Sequence, residues 1–379
     1  MARTFLACVG TRPEVIKMAM LHRALRAAGH KVVVLHTGQH NGMAHAPYRF
    51  FDMQPDIEVE IDRTRPSLAS LTAKLLEGID QAIQATGPDI VLVQGDTTSA
   101  LAGALAAYYH RCPVAHVEAG LRTYEREPFP EEKNREVIGR LARWHFAPTP
   151  QARQNLVSEG IGEQCIHEVG NTGIDAALWA RDGIRRRDFT LGEFAPEALC
   201  RFLERHPDRP LVLVTAHRRE NWGEPISNIA RAVATLLARN PDAVAVWPVH
   251  PNPRVGEDIA RGLEGVDPAA RERIQLTEPL EYPAMIALLC RCRFTLTDSG
   301  GVQEEAAALA TPVLIARDST ERQELVDAGG AILVGDCIET MVREGTRLLT
   351  DDAAYKGMQI SRCPFGDGHA AERIAKVLA

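Results

Sequence analysis

Three acidic residues in the first half of the chain are suited to donating and accepting protons. Asp96 and Glu118 each follow closely on a short apolar run, and Glu131 opens a helical pattern. Carboxylates whose surroundings separate their pKa values are the usual apparatus of general acid–base catalysis. Taken singly, each could merely cap a helix or favour its N-terminus. Three acids on the ligand edge of one predicted sheet are better explained as one site.

A second motif combines cations with a predicted helix N-terminus. Gly10 follows the apolar run 5–9, and Pro13 suits the first position of a helix. Arg12 would lie at the mouth of that helix and Lys17 about one turn inside it. Amides, helix dipole and two cations would then converge as a phosphate requires. The alternative is an ordinary turn with solvated charges. The motif is not GxGxxG, which argues against NAD.

The second half of the chain carries the residues of an anion site. Ser299, Gly300 and Gly301 follow the apolar run 294–297 and would leave bare amides at a helix start. Glu305, about one turn further on, could accept hydrogen bonds from a ribose diol. A generic helix cap is the alternative explanation for the Ser-Gly-Gly sequence.

Alternating strands and helices must position these residues. Short apolar runs separated by amphipathic stretches predict parallel sheets that are covered on both faces. The predicted strands are 5–9, 31–36, 90–94, 114–117 and 144–147, and then 211–215, 243–248, 274–276, 294–297, 313–315 and 331–334. The predicted helices include 14–28, 67–85, 99–110, 131–142, 226–239, 302–310, 337–349 and 369–379.

The stretch 180–210 separates the two sets of strands. It is rich in arginine, proline and charge, and we interpret it as the domain connection plus one helix. The 379 residues then form two α/β, Rossmann-like domains. The first comprises 1–172 with a last helix at 366–379 and carries the acids, and the second comprises 173–365 and carries the anion site. Because ligands bind beyond the carboxyl ends of parallel strands, we expect a central cleft where the two edges face each other.

Composition argues against several classes of protein. A net charge of −7 gives no general electrostatic case for binding nucleic acid or an anionic membrane. No apolar stretch approaches the ~18 residues of a membrane span, and the N-terminus lacks the apolar core of a secretion signal. The eight cysteines include no CxxC pair, which predicts no zinc clip and fits a reducing cytoplasm.

In their order along the chain, the polar motifs resemble those of the non-hydrolysing UDP-N-acetylglucosamine 2-epimerases. The motifs are GTRPE, TGQH, QGDTT, HVEAGLRT, PFPEEKNR, HRREN, HPNP and DSGGVQEEA. The resemblance implies a GT-B-like fold, a homodimer, and a reaction without cofactor or metal. It implies that UDP leaves C1 of the sugar while a base takes the C2 proton, which gives 2-acetamidoglucal. UDP re-adds after a proton returns to the opposite face of C2.

The resemblance also implies roles for individual residues. It implies catalytic roles for Asp96, Glu118, Glu131 and His217. It implies that Arg12, Lys17 and Arg135 contact the diphosphate or the sugar. It implies that UDP is contacted by Ser299, Gly300, Gly301 and Glu305. In some relatives a second UDP-N-acetylglucosamine acts as an effector, at positions that correspond to Gln39, His40, Arg218 and His250. Asn41-Gly42 stands where relatives carry a longer polar side chain, so effector activation stays open here.

Other functions remain open from the sequence. A hydrolysing relative would release UDP and free N-acetylmannosamine, although the GTRPE opening argues against it. A GT-B glycosyltransferase would need an acceptor groove and would not need three clustered acids. A nucleotide-sugar sensor would not need the acids at all. A modified UDP-hexosamine could be the substrate, and spacing does not assign which acid acts on which face of C2.

Overall fold

The computed structural model describes residues 1–39, 45–61, 67–218 and 221–379. It divides into two compact units. Unit 1 comprises Met1–Ala176 and Phe365–Ala379, and unit 2 comprises Ala177–Pro364. The sequence predicted the boundaries at 173 and 366. The division falls inside the helix Thr172–Arg186, so the connection between the units is helical and not a loop.

Unit 1 is built on a parallel sheet. Its strands are β1 (Thr4–Val9), β2 (Lys31–His36), β3 (Ile57–Glu58), β4 (Ile90–Gln94), β5 (Val114–Val117), β6 (Trp144–Ala147) and β7 (Ile166–Glu168). They lie in the order β3-β2-β1-β4-β5-β6-β7, and every neighbouring pair is parallel. The order reverses direction between β1 and β4, which is where ligands bind in doubly wound sheets.

Helices accompany the strands of unit 1. They are α1 (Arg12–Ala27), α2 (His45–Phe50), α3 (Leu68–Thr86), α4 (Thr98–Tyr109), α5 (Glu131–Leu141), α6 (Pro150–Ser158), α7 (Thr172–Arg186) and α17 (Ala370–Leu378). A buried cluster of side chains from β1, β2, β4, α3 and α4 forms the main core of this unit.

Unit 2 repeats the plan of unit 1. Its strands are β8 (Leu211–Thr215), β9 (Val244–Pro248), β10 (Ile274–Thr277), β11 (Phe294–Thr297), β12 (Val313–Ile315) and β13 (Ala331–Leu333). Their order is β10-β9-β8-β11-β12-β13, all parallel, so this sheet reverses between β8 and β11. Its helices are α8 (Glu197–Arg205), α9 (Glu224–Arg239), α10 (Pro253–Gly262), α11 (Pro268–Arg271), α12 (Tyr282–Arg291), α13 (Gly300–Ala308), α14 (Gln323–Asp327), α15 (Ile338–Thr350) and α16 (Asp352–Met358).

The predicted parallel α/β architecture is confirmed, and the differences have local causes. The edge strands β3 and β7 were not predicted, because they are two and three residues long and half-exposed, without a continuous apolar run. Helix α1 begins at Arg12, so Pro13 occupies its second position. Helix α13 begins at Gly300, two residues earlier than predicted, because the glycines complete its first turn. In the part of the chain that the structure describes, no helix is long and apolar enough to cross a membrane.

Candidate active site

The loops after β4 and β5 carry two of the predicted acids in unit 1. Glu118 follows β5 with a left-handed backbone, at φ +63°, a conformation that is costly for a residue other than glycine. Its side chain is buried, whereas that of Asp96 after β4 is 28% exposed. The strained backbone of Glu118 directs attention to its side chain as a functional group.

Two cations hold these acids. The Lys17 ammonium group pairs with Oε2 of Glu118. The Arg135 guanidinium pairs with Asp96, lies 3.5 Å from Oε1 of Glu118, and donates to the Glu118 carbonyl oxygen. Arg135 is 5% exposed, and its two carboxylate partners raise its pKa. The structure thus brings together four of the residues that sequence analysis singled out.

Glu131 and Glu132 differ in their surroundings, although they are adjacent. Burial first, and then the charges of Asp96 and Glu127, raise the pKa of Glu131. The Glu132 carboxylate instead accepts from the Thr123 amide at 3.1 Å and from the neighbouring Tyr124 amide at 2.9 Å. Glu132 therefore fixes the loop before α5, and Glu131 is the one suited to proton transfer.

The turn after β4 is held by residues other than Asp96. Thr97, not Asp96, is the N-cap of α4, because its hydroxyl accepts from the Ala100 amide at 3.0 Å. The Asn134 side chain donates to the Asp96 carbonyl at 2.8 Å. The Asp96 carboxylate is therefore left to its ion pair with Arg135.

Two buried residues in this region had no role in the sequence analysis. Glu14 accepts from the Gly10 amide at 3.1 Å and from the Thr97 hydroxyl at 2.7 Å. His116 donates from Nε2 to the Gly95 carbonyl at 2.7 Å, and burial keeps its pKa well below the usual value. The sequence signal for Glu14 was the capping-box spacing from Thr11. His116 offered no signal, because a histidine inside a strand is usually structural.

The remaining residues predicted in unit 1 lie near the same edge of the sheet. Arg12 is the first residue of α1 and is half-exposed. The Gln39 amide oxygen accepts from the Ser99 amide at 2.9 Å and from the Ser99 hydroxyl at 2.7 Å, so Gln39 joins the loop after β2 to α4. His40, predicted for the effector site, lies outside the described residues.

The equivalent edge of unit 2 is organised by Asp298, which sequence analysis named only as part of a motif. Asp298 is fully buried after β11. It accepts from the His217 amide at 2.9 Å, the Arg218 amide at 2.9 Å and the Asn221 side chain at 2.9 Å. One carboxylate thereby ties the loop after β8 to the loop after β11, across the point where the strand order reverses.

The predicted phosphate cradle begins α13. Ser299 is its N-cap, and the Ser299 side chain makes no capping hydrogen bond. The amides of Gly300 and Gly301 are therefore not capped by the Ser299 side chain, and the Ser299 amide donates to the Thr297 hydroxyl at 3.0 Å. Glu305 lies further along the helix and is half-exposed. Its neighbour Glu304 is buried and pairs with Arg322 at 2.7 Å.

His217, Arg218 and His250 border the same edge. The rings of His217 and His250 stack with centroids 5.9 Å apart. Burial, and then the charge of His217, lowers the pKa of His250. Arg218 lies 3.4 Å from Glu321. The arrangement offers a stacked pair of rings and a cation beside the amides at the start of α13.

Among the described residues, no group of three or more histidine, cysteine, aspartate or glutamate side chains is placed to hold a metal ion. The chemistry of each sheet edge can be described from its own side chains and backbone amides. Unit 1 has clustered carboxylates with paired cations, which suit proton transfer beside a carbon. Unit 2 has backbone amides at a helix N-terminus, which suit a phosphate.

A model of the UDP-N-acetylglucosamine 2-epimerase family matches residues 23–379. The chain belongs to this family. The UDP-N-acetylglucosamine 2-epimerase of Yersinia pestis is 43% identical over 381 residues, which cover 98% of this chain and 97% of that protein. The protein of the same name from Escherichia coli K12 is 42% identical over 375 residues, which cover 98% of this chain and 97% of that protein.

Solved structures of UDP-N-acetylglucosamine 2-epimerases share the fold. The Neisseria meningitidis enzyme, bound to UDP-GlcNAc, matches with a TM-score of 0.87 at 36% identity and covers 99% of each chain. The Methanocaldococcus jannaschii enzyme, in complex with UDP-GlcNAc and UDP, matches with a TM-score of 0.79 at 33% identity and covers 100% of this chain and 99% of that chain.

These matches confirm the family, the fold class and the enzyme class that the sequence predicted. The chain is an isomerase of the UDP-N-acetylglucosamine 2-epimerase family. Its GT-B-like fold contains two parallel β-sheets, each accompanied by helices. They do not favour the hydrolysing alternative.

Proposed function

We propose that the chain interconverts UDP-N-acetylglucosamine and UDP-N-acetylmannosamine by elimination and re-addition of UDP. The observation that carries this proposal is the meeting of Asp96 and Glu118 with Lys17 and Arg135. The C2 proton is not acidic, because no carbonyl is conjugated to C2, so its removal needs a leaving group at C1. As a carboxylate takes this proton, the C1–O bond to UDP breaks and a C1–C2 double bond forms. The reverse step delivers a proton to the other face.

The surroundings of the acids support a division of labour. Glu118 and Asp96 each contact a cation, and we assign to them the role of accepting the C2 proton. The raised pKa of Glu131 suits it to hold a proton and return it. In the proposed reaction, Arg12 contacts the diphosphate.

Unit 2 is assigned the nucleotide. The amides of Gly300 and Gly301 at the start of α13 bind the diphosphate beside Ser299, and Glu305 accepts from the ribose hydroxyls. His217 lies beside the departing oxygen and offsets its charge. The relatives from N. meningitidis and M. jannaschii, whose structures hold UDP-GlcNAc or UDP, support this substrate class.

We further propose a homodimer in the cytoplasm. Leu101, Leu105 and Tyr108 form a stripe at helical spacing on α4, and each is half-exposed or exposed. A second copy of the chain would cover this stripe. Sedimentation of the Tyr108→Lys variant beside the unaltered chain tests this, because the variant should be monomeric if the stripe is the dimer interface. No disulfide links the described cysteines, which suits a reducing compartment.

Incubation with UDP-N-acetylglucosamine in deuterated water tests the proposed reaction. Epimerisation by elimination places deuterium at C2 while UDP remains attached to the sugar. Free UDP with free N-acetylmannosamine would show a hydrolysing enzyme instead. If the substrate is recovered unchanged, without deuterium, the proposed reaction is wrong for this substrate.

A further inference from the structure

The carboxylate of Glu14 is buried in the first turn of α1, and no step of the proposed reaction uses it. Its side chain is 1% exposed. The Gly10 amide donates to Oε2 over 3.1 Å, and the Thr97 hydroxyl donates to Oε1 over 2.7 Å. The amide and the hydroxyl of Thr11 lie close enough to lower the pKa of Glu14, against the effect of burial. Neutral hydrogen-bond donors, and not a cation, thus surround this carboxylate among the described residues.

These hydrogen bonds connect two loops that carry proposed site residues. Gly10 precedes Arg12, and Thr97 directly follows Asp96. The Thr97 hydroxyl donates to Glu14 and accepts from the Ala100 amide at 3.0 Å, which caps α4. One oriented hydroxyl therefore joins Glu14 to the turn that presents Asp96.

The contacts continue along the edge of the sheet and return to α1. From Asp96 they pass through Arg135 to Glu118, and from Glu118 to Lys17. Lys17 lies one helical turn after Glu14, so the helix itself closes the circuit. We call this closed set the carboxylate ring; it consists of Glu14, Thr97, Asp96, Arg135, Glu118 and Lys17.

We infer that Glu14 is a positioning residue, which holds Gly10 and Thr97 together and so fixes where Asp96 and Glu118 meet the sugar. The inference rests on the proposed function of the same site. A reacting group that is displaced by about 1 Å can lose about 100-fold in rate, so a buried tie between two loops of an active site matters for turnover.

The ionised form of Glu14 fits its surroundings. A carboxylate only accepts hydrogen bonds, and its partners here donate, whereas a protonated carboxyl would turn one donor towards another. Burial opposes the ionised form and raises the pKa of Glu14 to about 7. The ring should therefore be complete above about pH 7 and should loosen below it.

Other titratable groups around Glu14 do not replace it. Cys8 of β1 and Tyr48 of α2 face it, and burial raises the pKa of both, so both are neutral near pH 7. The Tyr48 hydroxyl lies 3.1 Å from His36 of β2. In the first two turns of α1 the other charged groups are Arg12 and Lys17, and Lys17 pairs with Glu118.

The test measures kcat and KM from about pH 6 to about pH 9. We expect the kcat of the unaltered enzyme to fall as the pH drops through about 7, because protonation of Glu14 removes an acceptor. Glu14→Gln should lower kcat by about 10- to 100-fold at pH 8. It should also flatten the fall near pH 7 and change KM by less than about threefold. Thr97→Val should act alike, whereas Thr97→Ser keeps the hydroxyl and should retain most of the turnover.

Asp175→Asn is the matched control. Asp175 is likewise a buried carboxylate of unit 1, and it accepts from the Ala371 amide at 2.7 Å, at the start of α17. Burial raises its pKa to about 6. Its loss should lower the thermal midpoint and leave the pH profile of kcat unchanged. If Glu14→Gln behaves in the same way, Glu14 only stabilises the fold and the inference is overturned.

Hydrogen exchange at the Ala100 amide tests the tie without any turnover. Loss of a helix cap costs about 1 kcal/mol, so Glu14→Gln and Thr97→Val should each speed this exchange by about fivefold. Unaltered enzyme that leaves UDP-N-acetylglucosamine unchanged would contradict the proposed function alone. Unchanged exchange at Ala100 in Glu14→Gln would contradict the role of Glu14, whatever the substrate.

Discussion

The two sheets share a strand order, and each is tied at its point of reversal by one buried carboxylate. In unit 1, Glu14 reaches from α1 to the loop after β4. In unit 2, Asp298 reaches from the loop after β11 back to the loop after β8. The surroundings of these two carboxylates differ. Unit 1 places ion pairs of titratable side chains beside it, and unit 2 places the N-terminus of a helix.

On the proposed function, this difference lets one architecture serve two tasks. Proton transfer needs side chains whose charge can change, and Glu118, Asp96 and Glu131 supply them in unit 1. Binding a diphosphate needs donors that keep their direction at every pH, and backbone amides at the start of α13 supply them in unit 2. Variants at the two edges should therefore separate turnover from nucleotide binding.

The largest effect should come from Glu118→Gln. The amide keeps the size of the side chain but cannot accept the C2 proton, so turnover should fall by about 1,000-fold or more. UDP affinity, measured by calorimetry, should change by less than about threefold, because the proposed function assigns the nucleotide to unit 2. Glu132→Gln is the matched control on the adjacent acidic helix and should lose far less turnover. Equal losses in both variants would contradict the assignment.

Arg135→Met should destabilise unit 1. It removes the buried partner of Asp96 and Glu118 and leaves two carboxylates near each other. Removing one member of a buried ion pair costs about 3 kcal/mol or more, which urea unfolding would measure. Turnover should fall as well. A variant of unchanged stability would show that these ion pairs contribute nothing to the fold of unit 1.

Asp298→Asn should act mainly on nucleotide binding. The amide keeps one acceptor oxygen but loses the charge that holds the loop amides of His217 and Arg218. We expect the Kd for UDP to rise by about tenfold, as for the loss of one hydrogen bond to a charged group. The kcat at saturating substrate should stay within about threefold. A large loss of kcat with an unchanged Kd for UDP would contradict the assignment of nucleotide binding to this edge of unit 2.

The smallest effect should come from His250→Gln at about pH 7.5. Because burial and His217 lower its pKa, His250 is neutral there and adds no charge for a phosphate. The Kd for UDP should therefore change by less than about threefold. The same variant tests the effector site, because sigmoidal dependence of rate on UDP-N-acetylglucosamine would be lost if His250 binds a second molecule.

The sequence alone predicted most of the buried strands and the turns that follow them. Strands such as β2 and β4 consist mainly of continuous apolar runs between polar segments, so their positions can be read directly. The short edge strands β3 and β7 cannot, because half-exposed backbone pairing leaves no periodic pattern in two or three residues. The stretch 180–210, interpreted as the domain connection plus one helix, contains α8, and α7 ends within it at Arg186.

The sequence by itself determined the family, the doubled α/β architecture and the set of candidate acids, because motifs at strand ends follow from local turn and helix chemistry. Only the tertiary structure decided what surrounds each acid. Glu131 and Glu132 are adjacent in sequence, yet one is half-buried near Asp96 and the other binds loop amides. Glu14 gained its importance from Thr97, which lies far away in sequence. The partners of a carboxylate set its charge state, and folding alone brings them together.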